Sequence, residues 1–122
     1  MDKYIISGLL KIGVGGNFVA HSIAAFQGDA RLAKYLTWVG INSEAATLLL
    51  PLLGAIHMLV GVAVLLKPLP WILLYATAWS FFTALLPWLY DYNWLAFVQQ
   101  STCWTSALAI YLILYRGIKN NR

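Results

Sequence analysis

The sequence predicts an all-α fold: an integral membrane four-helix bundle with a short amphipathic interfacial helix between the first and second spans. Two observations lead there. Of 122 residues, 61% are hydrophobic and only 10% are charged, too little polar surface to dissolve a monomeric globule in water. The apolar residues also gather into four stretches of roughly 20 residues, the length a helix needs to cross about 30 Å of hydrocarbon. Residues 1–122 are therefore expected to form a single membrane domain.

The first span is expected over about residues 4–26, from Tyr4 to Phe26, with Ser7, Gly8, Gly13, Gly15 and Gly16 allowing close approach of a neighbouring helix. Lys11 interrupts this stretch, which fits a retained membrane helix better than a cleaved leader. Residues 29–41 carry Leu32, Tyr35, Leu36 and Val39 at helical spacing, with Asp29, Arg31 and Lys34 off that stripe. This pattern predicts a helix lying on the outer membrane surface. The second span runs over about 45–66, where Gly54 and Gly61, seven apart, fall on one face. Lys67, Pro68 and Pro70 stop it and start the third span, about 71–90. Asp91, Tyr92 and Asn93 form the next turn, and the fourth span covers about 94–115 before a polar tail of Arg116, Lys119, Asn120, Asn121 and Arg122.

The net charge of +4 comes from scattered cations rather than a basic patch, which argues for membrane topology and against a nucleic-acid partner. Lys3, Lys67, Arg116, Lys119 and Arg122 fall on one side of the four spans and only Arg31 and Lys34 on the other. The positive-inside rule then puts both termini in the cytoplasm. Tyr4, Trp71 and Tyr115 would form an inner aromatic belt, and Trp88, Tyr90, Tyr92 and Trp94 an outer one. A single cysteine, Cys103, excludes an intrachain disulfide, a CxxC pair and a cysteine-based metal site, and no metal ligand set is expected.

Ionisable and polar groups inside hydrocarbon are costly, so each is a candidate functional group. Counted from the outer span ends at about 1.5 Å per residue, His21, Gln99, Gln100 and Thr83 form an outer polar layer. Lys11 and His57 fall together about 20 Å from the outer face, predicting an intramembrane polar pair in which the imidazole accepts from the ammonium. A b-type haem between His21 and His57 is argued against by an offset of roughly 12 Å along the membrane normal. His57 with a ligand from another subunit is the remaining way to hold one. No intramembrane carboxylate is present, which weakens a proton-coupled transporter. Gly13, Gly15 and Gly16 lack phosphate-loop spacing and read as packing residues, and Cys103 reads as an inert buried thiol. Gln99, Gln100, Ser101 and Thr102 are four consecutive polar side chains that cannot all face lipid. A quinone head, flat and with two carbonyl acceptors, suits donors such as His21, Gln99, Gln100 and Thr83 beside Trp104; hydrogen bonding between helices is the plainer account.

Several segments together resemble the DoxX-like four-helix membrane proteins over nearly the whole chain. Lys11-Ile-Gly-Val-Gly-Gly-Asn-Phe-Val-Ala-His21 is similar to that family's basic residue followed by small residues and a histidine. Leu36-Thr-Trp-Val-Gly-Ile41 resembles its short stretch before the second helix, and Pro51 to Leu66 its glycine-punctuated second helix. Trp79 to Leu86 resembles the third helix and Phe97 to Leu108 the fourth. The family commonly has a glutamate where His57 stands, an acid and an arginine where Gln99 and Gln100 stand, and an asparagine where Cys103 stands. The resemblance implies membrane redox chemistry of the kind found with quinol oxidation or thiosulfate:quinone oxidoreduction.

The function expected from these readings is an accessory subunit of a larger, redox-linked assembly in the bacterial inner (cytoplasmic) membrane. Lipid and other membrane subunits would be its partners, with a quinone or bound lipid between its helices. The alternatives are a quinone-binding enzyme subunit with His57 as proton carrier, a haem-binding membrane protein using His57, and a small-molecule transporter. No catalytic residue is assigned.

Overall fold

The computed structural model describes residues 2–116, and all regular structure there is helical. Five α-helices succeed one another: α1 Lys3–Phe26, α2 Ala30–Trp38, α3 Ser43–Leu66, α4 Pro70–Asp91 and α5 Trp94–Tyr111, the last continuing into a π-helical turn at Leu112–Arg116. Each start is written in the sequence. Asp2, Asp29, Asn42 and Asn93 cap α1, α2, α3 and α5 by accepting from the backbone N–H of Tyr4, Arg31, Ala45 and Ala96. Pro70 opens α4, where its missing N–H costs nothing. Helix α4 ends at Tyr92, which adopts φ 50° in the left-handed region and returns its N–H to the Pro87 carbonyl.

Helices α1, α3 and α4 are long and apolar enough to cross a membrane. The expected fourth span corresponds to α5, but Gln99, Gln100, Ser101, Thr102, Thr105 and Ser106 leave it less apolar than the other three. The tail residues Lys119, Asn120, Asn121 and Arg122 lie outside the described residues.

Glycine positions bring α1 and α3 together. A Cβ on Gly61 would stand 2.9 Å from the Gly15 carbonyl oxygen, and one on Gly54 would stand 3.1 Å from the Ser22 carbonyl oxygen. Ser22 Oγ donates to the Gly54 carbonyl at 2.7 Å. Gly54 and Gly61 thus share the packed face, as their spacing predicts. Of the α1 glycines expected in such a contact, only Gly15 takes part. Gly8, Gly13 and Gly16 have nothing within 4 Å of a notional Cβ, since at 100° per residue Gly15 and Gly16 cannot both face α3. Helix α5 packs on α4 and α1. The core joins Val14 and Phe18 of α1, Val60 and Val64 of α3, Ile72, Leu73 and Ala76 of α4, and Ala107 and Ile110 of α5. At one end Tyr115 Oη donates to the Pro68 carbonyl, tying the π-helical turn to the α3–α4 connection.

Helix α2 is the amphipathic element expected between the first two long helices. Leu32 is buried against Ala25 and Leu50, while Arg31 and Lys34 are exposed. Its far end is held by Trp38, which stacks on Tyr90 of α4 with centroids 5.5 Å apart and planes 7° from parallel. Gly28 and Gly40, at φ 73° and 97°, turn the chain on either side of it.

The α1–α3 register corrects the depths read from the sequence. Ser22 lies against Gly54, Gly15 against Gly61 and Ala25 against Leu50, so roughly two turns of α3 run past the end of α1. Counting both helices from their outer ends ignores this stagger. His57 is therefore level with Phe18, their rings 5.3 Å apart edge to face. Lys11 lies about 10 Å away along α1. No hydrogen bond joins Lys11 to His57 among the described residues; the His57 partner is Tyr75, with Nε2 and Oη 3.2 Å apart. The offset between His21 and His57 along the helix axes shrinks to about 5 Å.

Candidate functional site

A cavity of about 460 Å³ lies between α1, α4 and α5 under α2. Each helix contributes polar groups at one-turn spacing, which is why they share a face: Asn17 and His21 on α1, Ser80 and Thr83 on α4, Gln99, Thr102 and Cys103 on α5. Gln100 joins them, Asp29, Arg31, Leu32 and Tyr35 form the roof, and Phe18 and Trp79 supply aromatic surface. Of the residues expected around a quinone head, His21, Gln99, Gln100 and Thr83 line this cavity together. The expected aromatic neighbour does not. Trp104 packs edge to face on Phe81 at 5.3 Å, and its buried Nε1 has no hydrogen-bond partner. Five positions beyond Gln99, Trp104 sits about 140° round the helix from it, and Trp79 of α4 holds the cavity position instead.

Several wall groups are held by bonds that leave specific valences free. Thr83 Oγ1 donates to the Trp79 carbonyl at 3.0 Å, so its lone pairs remain for a donor in the cavity. Ser101 turns away and donates to the Val98 carbonyl. This leaves Gln99, Gln100 and Thr102 as the members of the polar quartet that reach the cavity. Cys103 is half-buried rather than sealed in the core. Asn17 Nδ2 donates to its Sγ at 3.1 Å, and Ser80 Oγ lies 3.2 Å from it. Tyr35 and Arg31 are site residues that sequence reasoning misses, and Asn17, Ser80 and Cys103 are intramembrane polar groups that it counts as candidates without placing them in this layer. A signal for two of these three is present, because Asn17 stands one turn from His21 and Ser80 one turn from Thr83.

His57 stands apart from this cavity. It is fully buried, with the Phe18 edge on one side and the Trp79 ring 4.7 Å away at 61°. Its Nδ1 has no partner and its Nε2 faces Tyr75. With the two histidines nearly level, this packing rather than depth is what weighs against haem ligation. The ring offers no open face, and it lines neither of the cavities between the helices. Among the described residues no three His, Cys, Asp or Glu side chains converge as a metal site.

A second, smaller cavity of about 220 Å³ lies along the α1–α5 seam, lined by Gly13, Val14, Asn17, Thr102, Cys103 and Ser106. Asn17, Thr102 and Cys103 line both. The site as a whole can hydrogen-bond a small, oxygen-bearing group from several directions beside an indole. It contains no paired carboxylates and no activated nucleophile with an adjacent base. Comparison with models of known protein families, with curated proteins and with solved structures finds no match.

Proposed function

We propose that this chain is a DoxX-like, four-span subunit of the bacterial inner membrane, with both termini cytoplasmic, that holds the head of a quinone-class ligand and serves a larger redox-linked assembly. The cavity under α2 carries the reading. Its volume of about 460 Å³ falls in the ~300–1,000 Å³ range of small-molecule sites. Its walls combine His21, Gln99, Gln100 and Thr83 with the Trp79 ring. Carbonyl oxygens of a quinone accept from His21 and the glutamine amides, hydroxyls of the reduced form donate to Thr83 Oγ1, and the ring lies against Trp79. In this reading the chain has a holding role, with electron transfer supplied by a partner.

Helix α5 serves as the fourth span in this reading. Its polar side chains turn largely toward the cavity or bond back to their own helix, while Leu95, Val98 and Leu112 face outward. The outward Gly8 and Gly16 of α1 leave room for a helix of a partner subunit to approach closely.

The test is purification in lipid nanodiscs, extraction, and quantification of quinone and copurifying subunits by chromatography and mass spectrometry. The expected result is up to one quinone per chain, reduced at least tenfold in a His21→Ala, Gln100→Ala double variant. Wild-type protein that neither retains quinone nor takes it up on addition overturns the ligand. A protein recovered alone from native membranes overturns the accessory role.

A further inference from the structure

The cavity under α2 is about half open, and its buried and exposed walls lie on different helices. Ser80 and Thr83 on its α4 wall and Leu32 in its roof are buried. Its exposed wall residues within the long helices are Asn17 and Ala20 of α1 and Gln99 and Thr102 of α5, which face each other across the α1–α5 seam. The second cavity continues along that seam, from the shared residues Asn17, Thr102 and Cys103 to Gly13, Val14 and Ser106, about 6 Å further along α1. Gly13 leaves the passage open, with nothing within 4 Å of a notional Cβ. The Asn17 to Cys103 hydrogen bond, 3.1 Å long, spans the seam where the two cavities meet.

We infer that the α1–α5 seam is a tail channel: the ligand enters sideways from the bilayer, seats its head under α2, and leaves its hydrocarbon chain along Asn17, Gly13, Thr102 and Ser106. This rests on the proposed head site. It adds that the ligand is a single-chain, membrane-borne amphipath rather than a water-soluble molecule. It also makes the Asn17–Cys103 pair the point the chain must pass. In a bilayer the chain gains little by exchanging lipid for protein. The seam therefore acts by exclusion, admitting the chain when open and refusing the whole ligand when blocked, while a ring without a chain is indifferent.

The experiment uses full-length protein in nanodiscs and two probes, 2-methyl-1,4-naphthoquinone and the same ring carrying a ten-carbon chain. Binding of each is read by tryptophan quenching in wild type, Gly13→Leu and Ser106→Leu. Partition of a probe into the disc is common to all three proteins and cancels in the comparison. Overpacking a filled passage at its usual cost corresponds to a roughly fivefold or greater weakening. The expected result is that loss for the chain-bearing probe in both variants, with ring-only binding within about twofold of wild type. Equal binding of the chain-bearing probe to all three overturns the channel while leaving the head site standing. Failure of both probes to bind wild type overturns the head site and the channel with it. A measurement independent of variant folding uses wild-type protein and a probe with a diazirine at the chain end. Photolabelling is expected within residues 13–17 or 102–106, and labelling confined elsewhere overturns the channel.

Discussion

Replacing Gly61 by alanine tests the α1–α3 contact against an internal control on the same pair of helices. The new Cβ would stand 2.9 Å from the Gly15 carbonyl oxygen, 2.9 Å from Val19 Cγ2 and 3.1 Å from the Val19 nitrogen. Two of these three neighbours are backbone and cannot rotate aside, so α1 and α3 must part by several tenths of an ångström. Overpacking of this kind costs about 1–3 kcal/mol. Gly16→Ala places the same methyl where nothing lies within 4 Å. Both substitutions gain the same helix propensity, up to about 1 kcal/mol, so the difference between them isolates the contact. Titration from mild detergent into SDS, monitored by circular dichroism, should give Gly16→Ala equal to or more stable than wild type and Gly61→Ala less stable than Gly16→Ala by about 1–3 kcal/mol. Equal midpoints for the two variants would refute the close α1–α3 packing and the register built on it.

Ser22→Ala removes the 2.7 Å bond to the Gly54 carbonyl in the same contact, and a loss of about 0.6–1.7 kcal/mol in the same titration is expected. Tyr75→Phe takes away the one hydrogen-bond partner of a fully buried histidine and should cost about 1–3 kcal/mol, whereas adding His57→Phe should recover part of that loss. An unaltered double variant relative to Tyr75→Phe would count against the pairing. Tyr92 holds a left-handed conformation that glycine adopts freely, so Tyr92→Gly should raise stability by about 0.5–1 kcal/mol; a loss would argue that its exposed ring carries weight. Gly28→Ala, at φ 73°, should cost about 1 kcal/mol and speed amide exchange in α2 more than in α3.

Helix positions are legible in the sequence because their punctuation is local. Pro68 and Pro70 end one helix and begin the next, Asn42 and Asn93 cap α3 and α5, and the spacing of Leu32, Tyr35 and Leu36 announces α2 without reference to anything distant. The side-by-side position of two helices is not local. Counting from helix ends pairs Lys11 with His57, but the register is fixed by Gly15 on Gly61 and Ser22 on Gly54, contacts between residues more than thirty positions apart. The same distinction divides the site. His21, Gln99, Gln100 and Thr83 are legible as one layer because polarity, together with distance from the helix ends, singles them out in an apolar chain. Trp104 is misplaced by sequence because rotation about α5, rather than depth, decides whether a side chain meets the cavity or Phe81. Trp79 is indistinguishable in sequence from the aromatic residues beside it that face lipid.

The polarity of α5 also governs how this chain would enter a bilayer on the four-span reading. A translocon sorts segments largely by their own apolarity, and α1, α3 and α4 each have enough to partition alone. Helix α5 falls below that level, because glutamines and hydroxyls that are useful inside the assembled bundle are a burden during insertion. Only Tyr92 and Asn93 separate it from α4, and Ser80 and Cys103 meet within that pair of helices. The two would therefore leave the translocon as one hairpin, with α4 carrying α5 into lipid. Formation of the cavity under α2 would then depend on the hydrophobicity of a helix that supplies only part of its walls.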